Sequence, residues 1–226
     1  MPVSMDIIQA DFDRIALLSQ AGGDHNSHYH RFLLGQLPPR LLCSLEIGCG
    51  TGAFARRLAE RSDKVLALDL SPEMIRSAGE NSRWHPNIDF RVADVLTTEL
   101  PAGHFDCVVS IATLHHLPME ETLVRIKNAM KPGGTLLVLD LRRTEGLSEL
   151  AAGAMAWPVS AALRLIVNGR LIEPPELRRA WNEHGRNDSY LTTSQVRRIC
   201  ADLLPGAVVR KHLLWRYSVV WQKPSG

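Results

Sequence analysis

The chain has 226 residues, a formal charge of +2 and 45% apolar residues. This length suits one large domain or a core with an appended cap. The small net charge argues against a nucleic-acid partner, because a phosphate-binding domain usually carries a basic stripe. The N-terminal stretch has no apolar run of signal-peptide length, and the four cysteines form no CxxC pair or metal-ligand spacing. We therefore expect a cytoplasmic protein with reduced thiols.

One apolar stretch, residues 147–167, raises the question of a membrane span. It contains Glu149, Pro158 and Arg164. A spanning helix needs about 20 apolar residues with almost no charge. The sequence therefore predicts a buried or lid helix interrupted at Pro158, and no membrane span.

Apolar runs alternate with helical patterns from residue 41 to residue 141. The runs predict five strands, at residues 41–48, 64–70, 88–95, 104–112 and 135–141. Helical patterns cover residues 53–62, 71–82 and 118–130, and KPGG at 131–134 predicts a turn. Ser71 as N-cap and Pro72 as first helical residue mark the start of the second helix. Continuously apolar strands that alternate with helices indicate a parallel sheet buried on both faces.

The pattern changes after Asp140. Residues 142–190 show no strand and predict two or three cap helices, and residues 192–206 predict a helix that begins with a capping box. The last two apolar runs, 207–215 and 217–223, are too close for a crossover helix, so they must be antiparallel neighbours. The predicted fold is α/β: a Rossmann-like seven-stranded sheet, mostly parallel with an antiparallel C-terminal edge strand, and helices on both faces.

The stretch LEIGCGTGAF, residues 45–54, places three glycines between a predicted strand and a predicted helix. Gly48, Gly50 and Ala53 fit the dinucleotide pattern, and Asp69 follows at the end of the next strand. Glycines allow a sharp turn and close approach of a ligand, and an acid at that strand end can bind ribose hydroxyls. The loop therefore predicts a nucleoside site, and the missing Gly-Lys-Ser/Thr excludes a P-loop.

Three features favour a ligand other than a dinucleotide. Glu46 ends the first strand, where a carboxylate suits an ammonium group better than a pyrophosphate. Asp94 ends the third strand, where an acceptor suits an exocyclic amine such as that of adenine. The C-terminal hairpin closes the sheet where a dinucleotide fold needs a second βαβαβ half.

Five motifs occur in order along the chain: LEIGCGTGAF, VLALDLSPEMI, FRVADV, FDCVVSIATLHHL and MKPGGTLLVLD. Together they resemble the class I S-adenosylmethionine-dependent methyltransferases. The resemblance is closest to the branch with the ubiquinone/menaquinone biosynthesis enzymes and many small-molecule methyltransferases. It covers residues 41–141 well and the last 35 residues more loosely. The family's acid-x-Gly-x-Gly-x-Gly pattern is satisfied by Glu46, Gly48, Gly50 and Gly52.

The resemblance implies S-adenosylmethionine as cofactor, with S-adenosylhomocysteine as product. At the methionine end it implies that the glycine loop passes under the cofactor, that Glu46 places the ammonium group, and that the fourth strand ends beside it. The residues implied there are Glu46, Gly48, Gly50, Gly52, Ser110 and Ile111.

At the adenosine end the resemblance implies contacts from the ends of the second and third strands. Asp69 would accept both ribose hydroxyls, with Leu70 beside the adenine and Met74 on its face. Asp94 would accept from the adenine amine, and the backbone of Val95 would meet the ring. Structural alternatives exist, because Asp69 can cap a helix, Met74 can be core and Asp94 can cap a turn.

Candidates for a general base come from two histidine-rich segments. In TLHHL, residues 113–117, Leu114 and Leu117 suit the core. His115 shares a face with Ile111 if the segment is helical, so His115 is the better candidate to face the ligand. The alternative is that His115 only orders the loop.

In residues 25–38, Tyr29, His30 and Arg31 could line the sulfonium, supply a base or bind the cofactor carboxylate. An ordinary amphipathic helix face explains these residues equally well. We expect no metal site from the histidines of this segment.

Four regions follow from these patterns. Residues 1–40 are expected to form a helical cover over the cofactor, 41–141 the S-adenosylmethionine-binding core, 142–190 a helical cap, and 191–226 a helix and hairpin that complete the core. Apolar cap residues suggest an apolar or aromatic acceptor, although they could equally be packing: Met155, Trp157, Leu163 and Ile166.

The expected function is methyl transfer to a small molecule by in-line displacement, in a monomer or homodimer without nucleic acid. Two rival functions are a non-catalytic cofactor-binding regulator, which a broken motif set would indicate, and an NAD-dependent oxidoreductase.

Overall fold

The computed structural model describes residues 4–19, 26–145, 174–186 and 188–225. Its helices are α1 (Met5–Leu18), α2 (Ser27–Leu34), α3 (Ala53–Ala59), α4 (Pro72–Asn81), α5 (Met119–Ala129), α6 (Pro175–His184) and α7 (Thr193–Leu203). Its strands are β1 (Leu41–Ile47), β2 (Ser62–Asp69), β3 (Ile88–Val92), β4 (Phe105–Ile111), β5 (Met130–Leu141), β6 (Val208–His212) and β7 (Arg216–Gln222). A 3₁₀ turn, Leu114–His116, follows β4.

The seven described strands form one sheet in the order β3-β2-β1-β4-β5-β7-β6. Strands β1 to β5 pair in parallel, whereas β7 pairs antiparallel with both β5 and β6. The predicted Rossmann-like sheet is confirmed, with the antiparallel strand β7 inserted before the edge strand β6. The strand order reverses between β1 and β4, and ligands of open α/β sheets bind beyond the carboxyl ends of the strands at such a point.

Strand β5 begins earlier than the apolar pattern predicts. KPGG was expected to form a turn, but it lies inside β5. Phe105 pairs with Met130 and Cys107 with Thr135, so residues 131–134 form a bulge opposite one residue of β4. Gly133, at φ +76°, accommodates the bulge.

The region predicted as a cap, residues 142–190, is described only in part. Helix α6 lies within it. The remaining apolar part of the predicted cap, residues 146–173, lies outside the described residues. That part includes Met155, Trp157, Leu163 and Ile166.

Both faces of the sheet are buried, which explains the continuously apolar strands. Neighbouring residues of β4 point to opposite faces and enter different core clusters. Val108 belongs to the cluster with Leu123 of α5 and Val196 of α7. Val109 belongs to the cluster with Phe54 of α3 and residues of α2. Burial on both faces leaves the carboxyl edge of the sheet as the place where polar side chains collect.

The predicted helix starts at Ser71 and Thr192 are confirmed. The Ser71 hydroxyl accepts a hydrogen bond from the Met74 N–H at 3.0 Å. Thr192 and Gln195 exchange the two hydrogen bonds of a capping box. In the described part of the chain, no helix is both long and apolar enough to cross a membrane.

The three glycines of the loop after β1 all have positive φ, at +71°, +51° and +75°. A Cβ on Gly48 would overlap the side chain of Thr113, which follows β4. A Cβ on Gly52 would lie 2.9 Å from Phe90 Cζ. A Cβ on Gly50 would meet nothing within 4 Å. Gly48 and Gly52 are thus required by packing inside the chain, whereas Gly50 faces open space.

We expect Gly48→Ala to lower the free energy of unfolding by about 2–4 kcal/mol, because backbone strain and overpacking against Thr113 add. Gly50→Ala is the matched control, and it should cost about 1 kcal/mol from its positive φ alone. Urea denaturation of both variants checks this difference. Equal losses would show that the contact with Thr113 has no role in packing.

Candidate active site

Three chain segments meet at the carboxyl edge of the sheet. Ile47 of β1 pairs with Leu68 of β2 on one side and with Ser110 of β4 on the other. The glycine loop, Asp69 and the end of β4 therefore lie side by side at the strand-order reversal. This is the arrangement that the sequence predicts for a nucleoside site.

Asp69 ties the glycine loop to the end of β2. Its Oδ2 accepts a hydrogen bond from the Gly50 N–H at 2.8 Å, and its Oδ1 accepts one from the Ser71 N–H at 3.0 Å. Burial raises the pKa of Asp69 by more than these backbone donors lower it. Each carboxylate oxygen has a second lone pair, so Asp69 can hold the loop and still accept from two further hydroxyls.

Glu46, near the end of β1, places a second carboxylate beside the glycine loop. Its side chain is buried, with 2% of the residue exposed. Burial is the main cause that raises the pKa of the Cys49 thiol, and the charges of Asp69 and Glu46 raise it further. A loop flanked by two carboxylates suits a cationic ligand and disfavours a pyrophosphate.

Strand β3 ends at Val92, earlier than predicted, so Asp94 lies in the turn after it, where it has the turn-capping role that the sequence left open. Its Oδ1 accepts from the Leu96 N–H at 2.8 Å. Val95 is buried, and its carbonyl accepts from the Arg125 guanidinium at 2.9 Å.

Met74 packs against the N-terminal helix α1. Met74, Ile15 and Ala180 form a small apolar cluster. The Asp13 carboxylate of α1 accepts from the Ser71 hydroxyl, beside Asp69. Leu70, between Asp69 and Ser71, is half-buried. Helix α1 therefore lies next to the predicted ribose position, and the core role of Met74 is realised in the structure.

Helix α2 lies on the other side of the loop. The Tyr29 hydroxyl donates to the Leu213 carbonyl at 2.6 Å, and burial raises the pKa of Tyr29. The His30 ring lies edge-on to Phe54, with ring centroids 4.9 Å apart. Tyr29 is thus held to the β6–β7 hairpin, while His30 packs on the start of α3.

The chain turns sharply after β4. Ser110 is fully buried, and its Oγ has no hydrogen-bond partner among the described residues. Ile111, the last residue of β4, is buried too. Ala112 has φ +51°, a strained value for a residue with a side chain. Thr113 then donates its hydroxyl hydrogen bond to the Ile111 carbonyl at 3.0 Å.

This turn places His115 next to the buried carboxylate of Asp140. His115 Nδ1 lies 2.6 Å from Asp140 Oδ1, and the His115 backbone N–H donates to Asp140 Oδ2 at 2.9 Å. Leu114 is buried, as predicted, and Leu117 is partly buried against the same core. With Nδ1–H donated to Asp140, the Nε2 atom of His115 is the basic nitrogen.

Sequence analysis missed the partners of His115. Asp140 lies near the end of β5, the strand that pairs with β4. Two parallel neighbours end at the same sheet edge, so the pairing of β4 with β5 could have predicted this contact. Asp188 was missed because it comes from the cap: its Oδ2 lies 3.9 Å from His115 Nε2. Tyr190, from the same segment as Asp188, lies next to His115, since the ring centroids are 5.2 Å apart.

The Methyltransferase domain family model matches residues 45–138. An uncharacterized methyltransferase of Mycobacterium tuberculosis is 34% identical over 203 residues, which cover 88% of this chain and 96% of that protein. The ubiquinone biosynthesis O-methyltransferase of Xanthomonas campestris is 36% identical, over 47% of this chain and 46% of that protein.

The solved structure of the N-methyltransferase NodS from Bradyrhizobium japonicum, in complex with S-adenosyl-L-homocysteine, has a similar fold. Its TM-score is 0.64 at 18% identity, and the match covers 96% of this chain and 98% of that one. The near-complete match to the mycobacterial relative and the five ordered motifs give the same assignment. The chain belongs to the S-adenosylmethionine-dependent methyltransferase family, with S-adenosylmethionine as its cofactor.

Proposed function

We propose that the protein transfers a methyl group from S-adenosylmethionine to a small, apolar or aromatic acceptor by in-line displacement. The observation that carries the proposal is the His115–Asp140 pair, which lies at the carboxyl edge beside the cofactor loop. A relative in Synechocystis, 31% identical over 62% of this chain, is a 2-methyl-6-phytyl-1,4-hydroquinone methyltransferase. The first name supports an aromatic acceptor, and the name of the ubiquinone O-methyltransferase supports a hydroxyl as the methylated group.

The cofactor would lie across the carboxyl ends of the strands, with its hydroxyl, amine and ammonium groups opposite carboxylates of the protein. The ribose hydroxyls would donate to the outward lone pairs of Asp69, and Oδ2 of Asp94 would accept from the adenine amine. The ammonium group would lie near Glu46, where Gly50 leaves open space. The remaining proposed contacts are Gly48, Gly52, Leu70, Met74, Val95, Ser110 and Ile111.

The regions around the core would close the site. Residues 1–40 would cover the cofactor, because α1 binds Ser71 beside Asp69 through Asp13. His30 would shield the methionine end from its place against Phe54. Tyr29 would hold α2 to the hairpin through Leu213. Residues 142–190 would form the acceptor side.

The chemistry requires alignment and one proton transfer. The sulfonium leaves as a neutral thioether, so the protein mainly has to orient the acceptor and exclude water. A hydroxyl acceptor must lose its proton as the bond to the methyl carbon forms. His115 Nε2 would accept that proton, and Asp140 would hold the ring and stabilise the imidazolium.

We expect S-adenosylhomocysteine to bind, and Asp69→Asn to weaken its affinity by about 1–3 kcal/mol through loss of charge-assisted hydrogen bonds. Asp106→Asn is the matched control, because Asp106 also accepts two backbone N–H groups, at 2.9 and 2.7 Å, but at the amino end of β4. Isothermal titration calorimetry measures both. An absence of binding in the wild type would refute the proposed function, and unchanged affinity in Asp69→Asn would refute the ribose position.

A panel of substituted hydroquinones, catechols and alkylamines, assayed with methyl-labelled S-adenosylmethionine, identifies the acceptor class. We expect labelled product from the aromatic hydroxyl compounds. Label on the amines alone would contradict the hydroxyl acceptor.

With the best acceptor of that panel, His115→Asn and Asp140→Asn should each lower kcat by about 10²–10⁴-fold, because proton removal is lost or misdirected. S-adenosylhomocysteine affinity should stay within about twofold, since neither side chain is among the proposed cofactor contacts. His104→Asn, at the amino end of β4, is the control and should keep full turnover. Wild-type kcat in His115→Asn would exclude His115 as the base.

A further inference from the structure

Three histidines surround the carboxylate of Asp188. Its Oδ1 lies 3.4 Å from His116 Nδ1 and 3.7 Å from His184 Nε2, and its Oδ2 lies 3.9 Å from His115 Nε2. One ligand atom each from His115, His116 and Asp188 can be chosen so that all lie within 4.8 Å of one another. The cluster joins the turn after β4 to the cap, and the methyl-transfer step uses only one of its members.

These separations do not correspond to hydrogen bonds. A hydrogen bond between nitrogen and oxygen spans about 2.7–3.2 Å. Two ligands that each lie about 2.1 Å from a tetrahedral ion are separated by about 3.4 Å. The 3.4 Å between His116 Nδ1 and Asp188 Oδ1 equals the separation of two ligands of one ion, and the 3.9 Å between His115 Nε2 and Asp188 Oδ2 is longer than that separation.

Two of the three histidines, His115 and His184, have a carboxylate at their other ring nitrogen, as histidine ligands in metal sites do. His115 Nδ1 is held by Asp140 at 2.6 Å, and His184 Nδ1 lies 3.1 Å from Asp11 Oδ2. Such carboxylate partners fix the ring and its tautomer and leave Nε2 as a ligand. The Tyr190 hydroxyl donates to Asp188 Oδ2 at 2.6 Å, which fixes the carboxylate as well.

Burial excludes bulk water from the cluster. The side chains of His115, His116 and Asp188 are only 6–7% exposed. The ligand atom that His116 offers at this site is Nδ1, the ring nitrogen that lies 3.4 Å from Asp188 Oδ1.

We infer that His115, His116 and Asp188 bind one divalent transition-metal ion. Two imidazoles and one carboxylate are the donor set that Zn²⁺ and similar ions prefer, and three protein ligands leave a fourth position open. Metal binding and base catalysis then exclude each other, because both require the lone pair on His115 Nε2. This exclusion rests on the proposed function, whereas the binding itself does not.

A titration of the untagged full-length protein with Co²⁺ tests the site. We expect one equivalent to bind with the intense visible absorption of a tetrahedral cobalt centre, and one equivalent of Zn²⁺ to displace it. Asp188→Asn and His116→Ala should weaken Co²⁺ binding by about 10-fold or more, since each removes one of three ligands. His104→Ala, a histidine at the opposite edge of the sheet, should bind as the wild type does.

Unchanged Co²⁺ affinity in both ligand variants, or no Co²⁺ binding by the wild type, would overturn the site. Circular dichroism and urea denaturation of each variant exclude misfolding as the cause of a loss, and Asp188→Asn preserves the side-chain shape. S-adenosylhomocysteine calorimetry on the same samples keeps a failure of the cofactor site distinct from a failure of the metal site.

Zn²⁺ should also lower turnover at the concentration that fills the site. Full turnover at saturating Zn²⁺ would show that metal binding and base catalysis do not exclude each other.

Discussion

The contact between Gly48 and Thr113 joins the two halves of the candidate active site. Gly48 opens the loop after β1, and Thr113 lies in the turn after β4, so the contact spans the reversal of strand order. Only a residue without a Cβ lets the loop approach that turn so closely. Because the turn leads directly into His115, the position of the proposed base relative to the cofactor loop depends on this approach.

The strained backbone at Ala112 and the buried carboxylate of Asp140 together position His115. Ala112 adopts a left-handed conformation, which ends β4 and begins the 3₁₀ turn. The turn points both the His115 ring and its backbone N–H at the fully buried Asp140. A buried carboxylate is costly without donors, and those two groups supply them together with the Leu141 N–H. The strained turn is thus stabilised by the same bonds that orient His115.

Local patterns predicted the sheet, the helix starts and the glycine turn after β1, because strand periodicity, caps and glycine conformations are encoded by neighbouring residues. The prediction of a turn at KPGG was wrong because the pairing of β5 with β4 continues through a bulge, which no local pattern reveals. The partners of His115 were missed for a related reason. Asp140 and Asp188 are 25 and 73 positions away along the chain, and only the sheet order and the docking of the cap bring them to His115.

Helix α1 connects the cofactor side to the histidine cluster through three consecutive residues. Asp13 accepts from Ser71 beside Asp69, whereas Asp11 pairs with His184. Phe12, between them, lies edge-on to His116 and His184, with ring centroids 5.6 and 4.7 Å apart. Consecutive residues of a helix point in different directions, so α1 must lie between α4 and α6 to make all three contacts. One helix therefore contacts both the residue next to Asp69 and two histidines of the cluster, so its docking fixes the position of the cluster relative to the end of β2.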